Sequence, residues 1–145
     1  RRLKMLGMIL FLLGLVTGFV LMSFKNPRMG LAAHLEGVMN GMFLVLVGFL
    51  WNELHLSSTA RKVLLFALLT GTFANWLATL LAAAFGTSKM TPISGAGFEG
   101  AAWQESLVSA GLLIVGLTML VALCLLVYGL RGKYGSDNNQ PTALD

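Results

Sequence analysis

A short apolar stretch of the chain carries a histidine, a glutamate and an asparagine. His34, Glu36 and Asn40 lie between Gly30 and Met42, where the other residues are aliphatic, glycine or methionine. Polar and ionisable groups are costly to bury in such surroundings and are usually functional there. A neutral imidazole is a frequent metal ligand. His34 is therefore the first candidate for chemistry, either as a metal ligand or as a histidine that hydrogen-bonds to a neighbouring helix.

The spacing around His34 follows a helical period. On a helix, Gly37 and Gly41 share the face of His34, and their small-xxx-small spacing allows close approach to the backbone. Beside a histidine, this pattern indicates either a packed helix or a haem with His34 as the axial ligand. Glu36 and Asn40 share a different face, and Asn40 lies about 120° around the helix and roughly 9 Å along it from His34. In an oligomer, His34 could hold a cofactor at the seam, with the neighbouring subunit's Asn40 across from it.

A second polar stripe lies further along the chain. Thr72, Asn75, Trp76 and Thr79 follow helical spacing in another apolar segment. A buried asparagine must find hydrogen-bond partners, because an unpaired amide is costly in lipid. The stripe indicates either a structural bond from an asparagine to another asparagine or to backbone, between the second and third helices, or the polar wall of a substrate pocket.

The remaining histidine and the single cysteine narrow the chemistry. His55 follows the end of an apolar segment and is expected to be solvated, so two histidines are not available for one haem within a chain. A single axial ligand leaves an open iron position that suits substrate binding. Cys124 stands alone, which excludes an intramolecular disulfide and a cysteine metal cluster and indicates a small packing residue.

The composition indicates that these residues are carried by membrane helices. Of the 145 residues, 57% are hydrophobic and 11% are charged, whereas a soluble domain carries about 25% charge. A spanning helix needs about 20 apolar residues, and four segments qualify: 5–24, 29–51, 63–85 and 106–128. We therefore predict an all-α, four-helix membrane bundle over residues 1–134, followed by a disordered polar tail at 135–145.

The basic residues predict the orientation. Three further spans follow the first, which has no clear cleavage site, so the first segment is not interpreted as a signal peptide. Seven basic residues lie on one side of the predicted membrane and three on the other: Arg1, Arg2, Lys4, Arg61, Lys62, Arg131 and Lys133 against Lys25, Arg28 and Lys89. Both termini are therefore expected in the cytoplasm, at a bacterial inner membrane. These flanks account for the net charge of +4, without a nucleic-acid partner.

The connections carry weaker signals. Pro27 predicts a tight turn before the second helix, and Ser57 or Ser58 could cap the third. The stretch 86–104 is long and glycine-rich, and it contains Trp103. It is expected either to fold over a pocket mouth or to lie at the membrane interface, anchored by Trp103.

Several short motifs resemble a known family. The run Ala33-His34 followed by Asn40-Gly41-Met42 resembles the second helix of the styrene oxide isomerases, small four-helix membrane enzymes that form trimers with ferric haem b at the subunit interfaces. Longer runs at 11–15, 26–31, 34–41 and 74–79 are similar to the hydroxylaminobenzene mutases. The resemblance covers the first three helices well and the rest weakly.

The resemblance implies roles for the residues singled out above. It implies that His34 ligates ferric haem b, beside Gly37 and Gly41, and that Asn40 and Asn75 are catalytic. The substrate pocket would be lined by Glu36, Thr72, Trp76 and Thr79. Where the epoxide isomerases carry a tyrosine four residues beyond the third-helix asparagine, this chain has Thr79. That difference favours the mutases.

The implied reaction is redox-neutral. A mutase of this kind converts an arylhydroxylamine to a 2-aminophenol by intramolecular hydroxyl transfer, with the haem as a Lewis acid, in the degradation of aromatic compounds. The implied partners are a small aromatic substrate, the lipid bilayer and two further copies of the chain. Glu36 is left as a haem-propionate neighbour, a proton shuttle or a structural partner. The alternatives are an epoxide isomerase that forms an aldehyde, and a haem-binding electron-transfer or accessory membrane subunit.

Overall fold

Four long helices make up the described part of the chain. The computed structural model describes residues 1–131, so the predicted tail at 135–145 and Lys133 lie outside the described residues. The helices are α1 (Arg2–Val20), α2 (Pro27–Leu50), α3 (Ser58–Phe85) and α4 (Ala102–Leu130), and a short 3-10 helix (Leu21–Ser23) follows α1. Residues 1–131 contain no strand. All four helices are long and apolar enough to cross a membrane, as the sequence predicted.

Side-chain caps determine where two of the helices begin. The Asn26 side chain accepts hydrogen bonds from the backbone amides of Arg28 and Met29 at 3.1 and 3.2 Å, with Pro27 in the first turn of α2. Of the two candidate serines, Ser57 is the cap of α3. Both helices start earlier than the predicted spans, because backbone hydrogen bonding continues beyond the apolar run as far as the cap.

Glycines allow α1 and α2 to approach closely. A Cβ atom on Gly37 would lie 2.5 Å from the Cα of Gly14, and one on Gly41 would lie 2.5 Å from the backbone nitrogen of Phe11. Of the two alternatives for this glycine pair, the structure therefore has the packed helix. The α1 backbone lies beside both glycines, and their assignment to a cofactor site stays a prediction.

Each helix packs chiefly against its neighbours in sequence. The contacts join α1 to α2, α2 to α3 and α3 to α4, so that α2 and α3 are central and α4 lies against α3. One core cluster nevertheless receives side chains from all four helices, including Leu10, Leu44, Leu68 and Ala122. The outer faces carry exposed large apolar side chains such as Phe19, which is 90% exposed. Such surfaces are typical of helices whose solvent is lipid.

The α1–α2 contact can be tested with Gly41→Ala. The added methyl group would meet backbone atoms of α1, which cannot move aside as a side chain can, so we expect a loss of about 1–3 kcal/mol of stability. Gly116→Ala in α4 is the matched control, since a Cβ there meets nothing within 4 Å. Thermal unfolding in detergent measures both. Equal unfolding temperatures for the two variants would contradict the close contact.

Candidate functional site

The imidazole of His34 is fixed by the backbone of α1. Its Nδ1 lies 2.8 Å from the carbonyl oxygen of Gly14. Because a carbonyl can only accept, Nδ1 carries the proton and donates it, and in the neutral ring the lone pair is then on Nε2. Gly18 leaves room for the ring, since a Cβ there would lie 2.7 Å from Nδ1. This arrangement orients a histidine for ligation through Nε2.

An apolar groove surrounds the half-buried His34 on the outer surface of the α1–α2 pair. It has a volume of about 340 Å³. Its other lining residues are Leu15, Gly18, Phe19, Leu21 and Leu31. Within residues 1–131, no three His, Cys, Asp or Glu side chains cluster to form a complete metal site. Haem brings its own nitrogen ligands and needs only an axial one, so a single oriented imidazole in an apolar groove fits that group.

Glu36 lies on a different face of α2 from His34 and contacts the side-chain amides of two asparagines. Its Oε2 accepts hydrogen bonds from Asn40 Nδ2 at 2.9 Å and from Asn75 Nδ2 at 2.5 Å. Asn40 is buried, whereas Glu36 and Asn75 are half-buried. The three side chains, called here the amide cluster, bridge α2 and α3. The structure thus brings together three of the predicted site residues and leaves His34 on another face.

The other members of the predicted polar stripe bond within the protein. The hydroxyl of Thr72 donates to the carbonyl of Leu68, and that of Thr79 donates to the carbonyl of Asn75. Both threonines are buried. Their hydroxyl groups therefore donate their hydrogen bonds to carbonyls of α3 itself and are not directed into the amide cluster.

Trp76 bonds to α1, through a residue that the sequence reasoning missed. Its indole Nε1 donates to Thr17 Oγ1 at 3.1 Å, and Thr17 is 3% exposed. Trp76 also lies against Gly37, where a Cβ would be 2.9 Å from the ring. The available signal was that Thr17 is the one hydroxyl residue in the apolar run 5–22. A buried hydroxyl in such a run needs a partner, and here it serves a tryptophan two helices away.

The loop between α3 and α4 folds over the turn between α1 and α2. From α4, the Glu105 carboxylate accepts hydrogen bonds from three backbone amides of the loop: Ser88, Lys89 and Gly100. Three polar side chains hold it from the other side by donating to loop carbonyls: Lys25, Asn26 and Arg28. The Trp103 ring meets the Phe85 ring edge-on at 5.4 Å. The loop therefore covers the start of α2, and none of its residues lines the His34 groove.

Comparison with known proteins identifies the family of the chain. The sequence model of the styrene oxide isomerases matches residues 1–131. The chain belongs to this family. It is 48% identical over 144 residues to hydroxylaminobenzene mutase HabB of Ectopseudomonas oleovorans. This alignment covers 99% of this chain and 88% of the relative. It is 39% identical over 125 residues to hydroxylaminobenzene mutase HabA of the same organism, covering 86% and 93%. No solved structure gives a significant match.

Family membership confirms the resemblance inferred from the motifs around His34 and Asn75. The match extends to Arg131 and so includes α4, where the motifs gave little signal. In this member of the styrene oxide isomerase family, the His34 groove lies between α1 and α2, and the amide cluster lies between α2 and α3.

The bond between α1 and α3 can be tested with Thr17→Val. The substitution keeps the shape but leaves the buried indole N–H of Trp76 without its acceptor, which costs about 1–3 kcal/mol. Thr118→Val is the control, because the Thr118 hydroxyl donates only to carbonyls of its own helix. We expect a lower unfolding temperature for Thr17→Val alone. A similar shift in both variants would show that the indole bond contributes little.

Proposed function

We propose that the chain is a membrane mutase that converts an arylhydroxylamine, such as hydroxylaminobenzene, to a 2-aminophenol. Both relatives named above are hydroxylaminobenzene mutases, and the family consists of isomerases. The observation that carries the proposal is the pairing of an oriented His34 in an apolar groove with an amide cluster at membrane depth. This pairing provides a ligand for a Lewis acid and polar groups for a small substrate.

Haem b is the proposed cofactor, with Nε2 of His34 as its ligand. Leu15, Phe19 and Leu31 would provide the apolar surface for the macrocycle. When bound, ferric haem supplies a Lewis acid that withdraws electron density from the heteroatom group of the substrate. The hydrogen bond from His34 to Gly14 keeps the imidazole in the ligating tautomer and orientation.

The amide cluster would position the migrating hydroxyl. In the net reaction the N–O bond breaks, a C–O bond forms at the ortho carbon, and the ortho proton is replaced by a new proton on nitrogen. Asn40 would hydrogen-bond the hydroxyl during transfer, and Asn75 would support it from α3. The apolar surroundings matter because free water would capture the developing cation at another ring position. The α3 side of the substrate pocket would be supported by Trp76, Thr72 and Thr79.

Two observations favour an oligomer in which copies share sites. His34 and the amide cluster lie on different faces of α2, and Glu36 is half-exposed at membrane depth, where contact with lipid is costly. A second copy that covers Glu36 with its His34 groove would bring a His34 to the amide cluster and would remove Glu36 from contact with lipid. Such a contact joins unlike surfaces and forms a ring when the rotation between copies closes. Because the resemblance to the styrene oxide isomerases implies a trimer, we propose a homotrimer with haem at its interfaces. The distribution of basic residues supports a topology with both termini in the cytoplasm, and we propose a bacterial inner membrane.

Epoxide isomerisation is the second candidate, and the name of the family favours it. The Thr79 hydroxyl donates to carbonyls of its own helix, so it does not replace the tyrosine expected of an epoxide isomerase. Assays with hydroxylaminobenzene and styrene oxide side by side separate the two reactions. An electron-transfer subunit would instead cycle between ferric and ferrous states without converting either compound.

Haem ligation is tested by the absorption spectrum of the purified protein. We expect a Soret band in the parent that disappears in His34→Ala, because no other side chain replaces the axial ligand. His55→Ala is the matched control, since His55 lies in the loop after α2, outside the groove. A parent that stays colourless after expression with added haem would overturn the proposed mechanism.

The sharing of sites is tested by mixing two inactive variants. His34→Ala and Asn40→Ala are each expected to abolish activity, but a mixed trimer retains one site built from an intact His34 and an intact Asn40. Random mixing leaves about three quarters of the trimers with one intact site in three, so about a quarter of the parental rate should return. Co-expression followed by the hydroxylaminobenzene assay measures it. No recovery from trimers shown to be mixed would mean that each site lies within one chain.

A further inference from the structure

We propose that Glu36 determines which class of substrate the amide cluster accepts. The Glu36 carboxylate turns the carbonyl oxygens of Asn40 and Asn75 toward the substrate. It thereby selects hydroxylamines, which carry N–H and O–H donors, over epoxides, which carry none. This inference rests on the proposed function and deepens it by assigning selectivity to a positioning residue.

The geometry of the cluster fixes both amides in one sense. A single oxygen, Glu36 Oε2, accepts from the Nδ2 atoms of both asparagines at 2.9 and 2.5 Å. An amide that directs its nitrogen edge at Glu36 must direct its carbonyl edge elsewhere. An ionised carboxylate accepts hydrogen bonds and donates none. Ionised Glu36 therefore keeps both amides in this orientation, because it offers no donor to which an amide oxygen could turn.

The carbonyl oxygens of the two asparagines are available to a ligand. Among the hydrogen bonds recorded between residues 1–131, neither Asn40 Oδ1 nor Asn75 Oδ1 takes part. Some buried side-chain atoms within residues 1–131 lack a hydrogen-bond partner, and neither asparagine oxygen is among them. An amide oxygen at membrane depth needs a donor. The cluster thus presents two acceptors that a ligand with donors can satisfy.

This arrangement discriminates between the two substrates of the family. The N–H and O–H groups of an arylhydroxylamine can each donate to an amide oxygen. The epoxide oxygen only accepts, so it would leave the amide oxygens unpaired and set against its own lone pairs. A site built to bond donors rejects an analogue without them far more strongly than an apolar pocket rejects a size change. The role of Glu36 is to prevent the amides from rotating to present their N–H groups.

The test is the ratio of kcat/KM for hydroxylaminobenzene to kcat/KM for styrene oxide. Glu36→Gln keeps the size of the side chain but adds a donor, which allows an asparagine to rotate. We expect the ratio to fall at least tenfold, through a loss of hydroxylamine turnover with epoxide turnover kept or raised. Glu36→Met, which removes the acceptors altogether, should lower the ratio in the same direction. Glu53→Gln, at an exposed carboxylate in the loop after α2, is the matched control and should leave the ratio unchanged.

The outcomes separate this inference from the proposed function. Equal losses of both activities in Glu36→Gln would mean that Glu36 is only structural, and the inference would be overturned while the mutase assignment remained. A parent that converts styrene oxide but not hydroxylaminobenzene would overturn both.

A binding measurement on the parent tests the inference even when the variants do not assemble or the parent shows no turnover. The unfolding temperature of the parent should rise more with 2-aminophenol, which carries two donor groups, than with acetophenone, which only accepts. Greater stabilisation by acetophenone would overturn the inference directly.

Discussion

The close approach of α1 to α2 is the contact on which the rest of the arrangement depends. Glycines at 14, 37 and 41 let the two backbones meet where a single methyl group would not fit. Lipid gives no hydrophobic drive to helix association, so packing at such short distance supplies much of the attraction. The same contact brings the Gly14 carbonyl within reach of His34 and the Thr17 hydroxyl within reach of Trp76. Helix packing and the orientation of both side chains therefore have one origin.

A second constraint is the cost of polar groups away from water. Within the helices the buried hydroxyls of Thr72 and Thr79 bond to their own backbone, and the two asparagine amides share one carboxylate oxygen. Of these bonds, the one from Asn75 to Glu36 joins α3 to α2 and so constrains the rotation of α3 relative to α2. Nε2 of His34 and the two asparagine carbonyl oxygens take part in no hydrogen bond recorded within residues 1–131.

The sequence predicted the number of helices and the faces of α2, because both follow from local patterns. Apolar run length determines a span, and the helical repeat separates His34 from Glu36 and Asn40. The sequence could not decide whether Gly37 and Gly41 face a helix or a cofactor, because either object satisfies small-residue spacing. It also did not predict that Asn75 bonds to Glu36, since that contact depends on how α3 is rotated against α2. The link from Trp76 to Thr17 joins residues 59 positions apart, which no local pattern reveals.

Asn26 has a consequence for how the chain is assembled in the bilayer. Its side chain is fully buried, and its oxygen caps α2, while its Nδ2 donates to the Ser94 carbonyl and its backbone amide donates to the Ala83 carbonyl. The α1–α2 hairpin is held by contacts between residues close in sequence, so it can form as soon as both helices leave the ribosome and insert. The bond from its backbone amide can form only after the chain as far as Ala83 has been synthesised, and the bond from Nδ2 only after Ser94 has followed. The hydrogen bonds of Asn26 therefore form in stages: its oxygen caps α2 within the first hairpin, and its two donors find their acceptors only once α3 and the loop after it have packed against that hairpin.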